Sequence, residues 1–318
     1  MNKILSLTGP TASGKTALSI ALAHALDGEI ISCDSMQIYA GLTVGTAAPT
    51  PAEMDGIPHP GIGICPYTAA FSVADWVSLA DGWIDDITSR GKTPILCGGT
   101  GLYLDSLVHL GSFTENDRDD ALREELAAYA ASQGNEALHR MLCEIDPEAA
   151  AAIHCNNVKR VIRAIEVYRT TGKTKTETDR LQKQAGCRYD EFRVILDFAD
   201  RQVLYDRIDR RVDSMLSEGI LEEAKMLWDY AQSHPDAALG TAWQAIGYKE
   251  FFPYFAGECS LAEAADMVRQ SSRQYAKRQL TWFRHATGYR LVPDRPDGTL
   301  RDTNDLVAEV LTQLQNWI

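Results

Sequence analysis

The chain has 318 residues, 45% of them apolar and 24% charged, with a formal net charge of −13. That balance is ordinary for a globular protein able to bury one large or two modest cores, and it excludes a disordered chain. It also excludes a surface broadly coated with nucleic acid, because such surfaces are basic; any polyanion site must be local. Apolar runs are short and broken by charge, with no stretch of about 18 that would read as a membrane span or leader. A cytoplasmic protein with no membrane partner is the expectation. The seven cysteines, at 33, 65, 97, 143, 155, 187 and 259, include no CxxC pair, so reduced thiols are expected rather than a disulfide framework or a zinc site.

Residues 3–8 alternate apolar side chains and predict a strand, followed by Gly9, Gly14 and a helix-forming run over 15–26. Between them Gly9-Pro10-Thr11-Ala12-Ser13-Gly14-Lys15-Thr16 fits GxxxxGK[ST], in the strand-to-helix context that gives the match meaning. Its glycines let backbone N–H groups curl around phosphate oxygens, the helix N-terminus adds partial positive charge, Lys15 supplies a point charge and Thr16 can ligate Mg²⁺. The alternative is a tight glycine turn without a ligand.

A second strand over 29–33 delivers Asp34, in Asp34-Ser35-Met36-Gln37-Ile38-Tyr39, to the carboxyl edge of a sheet. Open α/β folds place ligands at that edge, so Asp34 is a candidate general base; an Asp there also serves as a turn former or a magnesium partner. An amphipathic helix is predicted over 71–90, with Ser72 and Asp75 in capping-box register, then a buried strand over 93–97 running into Gly98-Gly99-Thr100-Gly101. Alternation of strand and helix implies a parallel sheet. The strand over 93–97 ends in glycines rather than the acidic residue usual beside a nucleotide, and no NKxD-like guanine reader is present. The phosphate loop is therefore suited to a diphosphate that is not a nucleotide.

From about residue 112 to 184 the pattern is helical without strands, with acidic turns over 115–120 and breaks at Gly134 and Pro147. An inserted helical domain over 113–185 is predicted, dividing a core made of 1–112 and 186–318. A returning strand is expected at 192–198, then helices at 201–217, 221–231 and 261–287, the last with Ser260 and Glu263 in capping-box register. The fold class predicted is α/β, a P-loop NTPase-like parallel sheet flanked by helices, with the helical insertion.

Two segments are locally basic. Residues 269–290 hold Arg269, Arg273, Lys277, Arg278, Arg284 and Arg290 with no Asp or Glu, interleaved with Tyr275, Trp282 and Phe283; Lys159, Arg160, Arg163, Arg169, Lys173 and Lys175 face only Glu166. Such helices often present only a solvated face, but two of them with aromatics suit phosphate contacts and base stacking. Lys159 and Arg163 share a helix face. Trp282 is expected in the core and His24 on its helix surface, and the histidines show no metal-ligand spacing.

Taken together, GPTASGKT, DSMQIY with GLTVGTA, FSVADW, GKTPILCGGTGLYL, NNVKRVIRAIEVYRTTGKTKTE, TAWQAIGYKE and YAKRQLTWFR, spread over residues 3–285, resemble the bacterial tRNA dimethylallyltransferases of the isopentenyltransferase family. The resemblance implies an Mg²⁺-dependent monomer that alkylates the N6 amine of the adenosine 3′-adjacent to the anticodon in tRNA, using dimethylallyl diphosphate. Its residue roles carry over as follows. Gly9, Pro10, Thr11, Ala12, Ser13, Gly14, Lys15 and Thr16 hold the diphosphate, Thr16 with the metal. Asp34 is the base, and Asp34, Ser35, Met36, Gln37, Thr100 and Arg123 meet the tRNA. Lys159, Arg160, Val161, Ile162 and Arg163 form a basic helix beside the substrate channel. Thr100 and Arg163 join Asp34 in the catalytic set. Apart from the resemblance, Arg207 and Arg211 in the LYDRIDRRVD stretch are further candidates for the arginine that closes on the diphosphate. Where relatives carry basic residues this chain has Ala40 and Ala48, a PHH motif is Pro58-His59-Pro60, and Cys155 and Trp243 replace Pro and Met. A small-molecule or nucleoside kinase is the rival reading; a non-catalytic RNA-binding or GTPase-like module is the second.

Overall fold

The computed structural model describes residues 1–110, 119–235, 237, 239–315 and 317. Residues 115–118 of the predicted acidic turns and the predicted domain boundary at 112/113 lie outside the described residues. Two compact units divide the chain: Met1–Asp105 with Tyr189–Ile318, and Ser106–Arg188.

In chain order the strands are β1 (Lys3–Thr8), β2 (Gly28–Ser32), β3 (Tyr39–Ala40), β4 (Cys65–Pro66), β5 (Thr93–Gly98), β6 (Asp190–Leu196) and β7 (Tyr289–Leu291). The main sheet of the first unit runs β2-β5-β1-β6-β7 with every neighbouring pair parallel, and β3 pairs with β4 apart from it. A parallel sheet is covered on both faces, and Ile4, Leu5, Leu7, Val194 and Ile195 of β1 and β6 are fully buried.

The helices are α1 (Lys15–Ala25), α2 (Val73–Ser89), α3 (Gly101–Val108), α4 (Asp120–Gln133), α5 (Asn135–Ile145), α6 (Pro147–Ala152), α7 (Val158–Thr171), α8 (Lys175–Ala185), α9 (Arg201–Glu218), α10 (Ile220–Ser233), α11 (Phe252–Phe255), α12 (Leu261–Arg284) and α13 (Thr303–Leu314). The capping boxes at Ser72/Asp75 and Ser260/Glu263 are both formed, each satisfying two N-terminal amides. Behind its box α2 buries Trp76, Ala80, Ile84 and Ile87, one stripe at helical spacing. The sheet core joins Leu5, Leu7, Leu18, Leu22, Ile30, Ile95 and Leu196 to Leu306, Val310 and Leu314 of α13.

Sequence patterning foresaw neither β7, whose three residues are too few to show a period, nor α13. Trp282 also corrects an expectation: it is 41% exposed and its indole N–H donates to the Asp105 carboxylate at 2.9 Å, while its neighbour Phe283 is the buried ring at 1%. The amphipathic indole can serve at a surface because its N–H finds a polar partner there. His24 lies half-exposed, paired with Asp55 at 2.9 Å.

The second unit packs Leu126, Leu138, Leu142, Ile153, Val161, Ile162 and Ile165 into its own core. Among the described residues, no helix is long and apolar enough to cross a membrane.

Candidate active site around the phosphate loop

Residues Gly9 to Thr16 leave the central strand β1 and enter α1 through two left-handed positions, Ala12 at φ +60° and Gly14 at φ +92°. Gly14 is the N-cap of α1, where no side chain caps the first amides and the first turn holds no acidic residue. Those amides and the helix dipole therefore face an anion site.

Three cations converge on this loop. Lys15 Nζ donates to the carbonyls of Gly9 at 3.1 Å and Pro10 at 2.6 Å. Arg207 Nε donates to the Ala12 carbonyl at 2.6 Å, and Arg211 Nη1 to Thr11 Oγ1 at 2.8 Å. Both arginines come from α9, one helical turn apart, and this i, i+4 spacing puts them on one face. Among the described residues no carboxylate forms an ion pair with any of the three. Three arginines of α12 and the strand after it differ: Arg269 pairs with Asp213 and Asp266, Arg273 with Asp209 at 2.5 Å and Arg290 with Asp197 at 3.4 Å. Three of the six basic side chains of the 269–290 segment are thus neutralised within the fold, while Arg278 faces the cavity.

The loop opens on a cavity of about 770 Å³ built within the first unit, whose lining includes Thr11, Lys15, Thr16, Asp34, Ser35, Met36, Gln37, Arg207, Arg211, Tyr275 and Arg278. Asp34 follows β2, which β5 separates from β1 in the sheet, and its carboxylate lines the same cavity as the phosphate loop and acts on the Lys15 ammonium. Its Oδ1 accepts the Met36 amide at 2.9 Å in an Asx turn. Thr100 Oγ1 accepts the Ser35 amide at 3.1 Å, tying the turn after β5 to the turn after β2. Gln37 turns inward: its Oε1 accepts from Ser32 Oγ at 2.8 Å, and its Nε2 donates to the carbonyls of Thr46 and Ala47 at 3.3 and 3.2 Å. The 43–45 stretch of this loop is held in turn by Glu223, which accepts the amides of Thr43 and Val44 at 2.9 Å each.

Burial pushes the Lys15 ammonium down to about 8, with Arg211 adding to the fall and Asp34 opposing it. A lysine lowered from its unfolded value of 10.5 weighs on the fold while charged, so the ligand-free protein gains stability as pH rises from about 8 towards 10.5. An anion in the loop reverses the preference. Pyrophosphate binding at pH 9 is expected to take up a proton at Lys15 that it does not take up at pH 7. Calorimetry in buffers of different ionisation enthalpy measures the uptake, and Lys15→Met removes the ligand's own contribution by subtraction. Equal uptake by wild type and variant would rule out Lys15 as the group that titrates.

Of the remaining predicted residues, Arg123, Lys159, Arg160, Val161, Ile162 and Arg163 belong to the helical unit. Lys159 and Arg160 are exposed on α7, whereas Val161 and Ile162 are 0% and 8% exposed and pack in that unit's core, so their side chains are not available to a partner. Arg123 and Arg163 both bind Glu166, at 2.7 and 2.8 Å. Tyr275, one of the aromatics noted in the basic segment, and Gln279, to which sequence reasoning gave no role although YAKRQLTWFR contains both, line the cavity from α12; α12 reaches the phosphate loop only in three dimensions.

A parallel sheet with a glycine-rich phosphate loop after its central strand, and a cationic cavity at the strand carboxyl ends, defines a P-loop α/β enzyme. Two family models match the chain, isopentenyl transferase over residues 2–59 and IPP transferase over 37–286. The tRNA dimethylallyltransferases of Halalkalibacterium halodurans and Geobacillus thermodenitrificans are 48% and 50% identical over 89% of this chain and 88% of each relative. The crystal structure of full-length tRNA isopentenylpyrophosphate transferase from Bacillus halodurans superposes with a TM-score of 0.69 at 42% identity, covering 99% of this chain and 98% of that one. A eukaryotic dimethylallyltransferase acting on tRNA matches with a TM-score of 0.76 at 31% identity, over 89% of this chain and 70% of its own. The chain belongs to the IPP transferase family and is a prenyl-transferring enzyme.

Proposed function

We propose that this enzyme transfers the dimethylallyl group of dimethylallyl diphosphate to the N6 amine of the adenosine 3′-adjacent to the anticodon in tRNA, releasing pyrophosphate. The observation that carries the reading is the cluster of Lys15, Arg207 and Arg211, held on carbonyls and a hydroxyl around an open helix N-terminus, in the same cavity as the Asp34 carboxylate. Cations held this way are completed by an anionic ligand.

In the proposed reaction the amine nitrogen gives its lone pair to the allylic carbon as the carbon–oxygen bond breaks. That bond's electron pair leaves with pyrophosphate, and the amine proton passes to Asp34. Lys15, the arginines and the loop amides meet the charge growing on the leaving group. The Thr16 hydroxyl and a carboxylate are hard oxygen donors of the kind Mg²⁺ accepts together with phosphate oxygens; a bound Mg²⁺ would neutralise the departing diphosphate. For tRNA, Ser35, Met36 and Thr100 flank the base, Gln37 acts through the loop it braces, and Arg123, Lys159, Arg160 and Arg163 on the helical unit supply positive charge. The enzyme works as a cytoplasmic monomer in this reading.

Incubating the protein and Mg²⁺ with unmodified tRNA, and separately with dimethylallyl diphosphate or ATP, tests the reading by mass analysis of digested nucleosides. An adenosine heavier by one dimethylallyl group, formed without ATP, is expected. Phosphate transfer from ATP with no prenylated nucleoside would replace the reading with that of a kinase.

A further inference from the structure

We infer that Gln279 of α12 is a positioning residue that sets the distance between the phosphate loop and the turn carrying Asp34; this rests on the prenyl-transfer reading of the cavity. Its side chain is 6% exposed. Oε1 accepts the Thr11 amide of the phosphate loop at 2.8 Å, and Nε2 donates to the Gly99 carbonyl of the turn after β5 at 3.0 Å. Only this orientation of the amide satisfies both backbone groups.

The backbone ladder between β1 and β5 ends at the pair Thr8 and Gly98. Beyond it the two chains separate, one into the phosphate loop and the other into the Gly98-Gly99-Thr100-Gly101 turn, and the Gln279 amide continues the ladder by one rung. The approach is close: a Cβ on Gly99 would stand 2.2 Å from Nε2, so any side chain at 99 displaces the amide. The turn then passes directly to Thr100, whose Oγ1 takes the Ser35 amide at 3.1 Å, next to Asp34. A continuous path of Thr11, Gln279, Gly99, Thr100 and Ser35 thus links the diphosphate's loop to the base. In-line displacement needs leaving group and nucleophile held to within about an ångström, and a misplacement of that size costs about 10²-fold in rate.

The test compares steady-state kinetics of wild type, Gln279→Leu, Gln279→Glu, Gly99→Ala and the Gly99→Ala/Gln279→Leu double variant, with pyrophosphate affinity and thermal midpoint measured alongside. Gln279→Leu is expected to lower kcat by about 10²-fold, with KM for dimethylallyl diphosphate and the pyrophosphate Kd little changed. Gln279→Glu keeps the shape and the Thr11 bond but loses the donor to Gly99, so its loss is intermediate. Gly99→Ala is expected to match Gln279→Leu, and the double variant to be no worse than either single one, since both break the same bridge. Wild-type kcat in Gln279→Leu, a loss confined to KM, or additive losses in the double variant would each overturn the inference. If Gln279→Leu does not fold, the isosteric Gln279→Glu decides, and full kcat in it is equally fatal. A wild-type enzyme that makes no prenylated tRNA would instead refute the proposed function.

Discussion

Asp34→Ala is expected to lower kcat by about 10²- to 10⁴-fold, the usual worth of a positioned general base, while tRNA and pyrophosphate still bind. The argument starts at the turn. Oδ1 of Asp34 is taken by the Met36 amide, which fixes the carboxyl at the end of β2, and the second oxygen meets no protein donor among the described residues. Asparagine keeps an oxygen for Met36 and removes only the basicity, so Asp34→Asn separates the two roles. If the alanine variant is inactive and the asparagine variant is nearly as poor, the lost function is proton acceptance; if asparagine restores activity, Asp34 is only a turn former. Pyrophosphate affinity provides the control, because Lys15, Arg207 and Arg211 hold the loop through contacts that do not involve Asp34. Full turnover by Asp34→Ala would remove it from the mechanism.

Glu166→Ala is expected to destabilise the helical unit by about 3 kcal/mol, since breaking a buried ion pair strands its partners. Glu166 is fully buried and accepts from the Asp119 amide at 2.9 Å, from Arg123 at 2.7 and 2.9 Å and from Arg163 at 2.8 Å. Burial alone would raise its carboxyl, but the donors of Arg123, Asp119 and Arg163 together outweigh burial and hold it below its usual range. A carboxyl lowered in the fold contributes stability above its unfolded value near 4.5 and loses it as pH falls through the folded value. The unit should therefore weaken at acid pH in the wild type and show a smaller acid dependence in Glu166→Ala. Amide hydrogen exchange along α7 reads the effect directly: a loss of about 3 kcal/mol corresponds to roughly hundredfold faster exchange of the most protected amides. Unchanged protection would mean that the arginines find water at no cost and the cluster is ornamental to stability.

What could be read in advance was local. Residues Gly9 to Thr16 announced a phosphate loop because strand, glycines, lysine and helix are contiguous. The Ser72/Asp75 and Ser260/Glu263 boxes announced two helix starts because a cap needs only three residues of spacing. The order of strands in the sheet, with β5 between the strands that lead to the phosphate loop and to Asp34, and the burial of Val161 and Ile162 under a basic helix were not local facts. The seven family motifs brought the prenyl-transfer reading with them.

Most elements and the chemistry available at their ends follow from short stretches of sequence, since backbone propensity, capping and the phosphate loop act within a few residues; β7 and α13 do not. Which of the candidate cations serve the loop is a matter of packing. Arg207 and Arg211 reach it because α9 packs over the carboxyl edge of the sheet, while Arg269 and Arg273, equally basic in sequence, are consumed by Asp213, Asp266 and Asp209. It also placed Gln279 between two turns that lie 180 and 268 residues away along the chain. Charge and hydrogen bonds act across space, and a linear pattern carries no record of which distant group will be there to receive them.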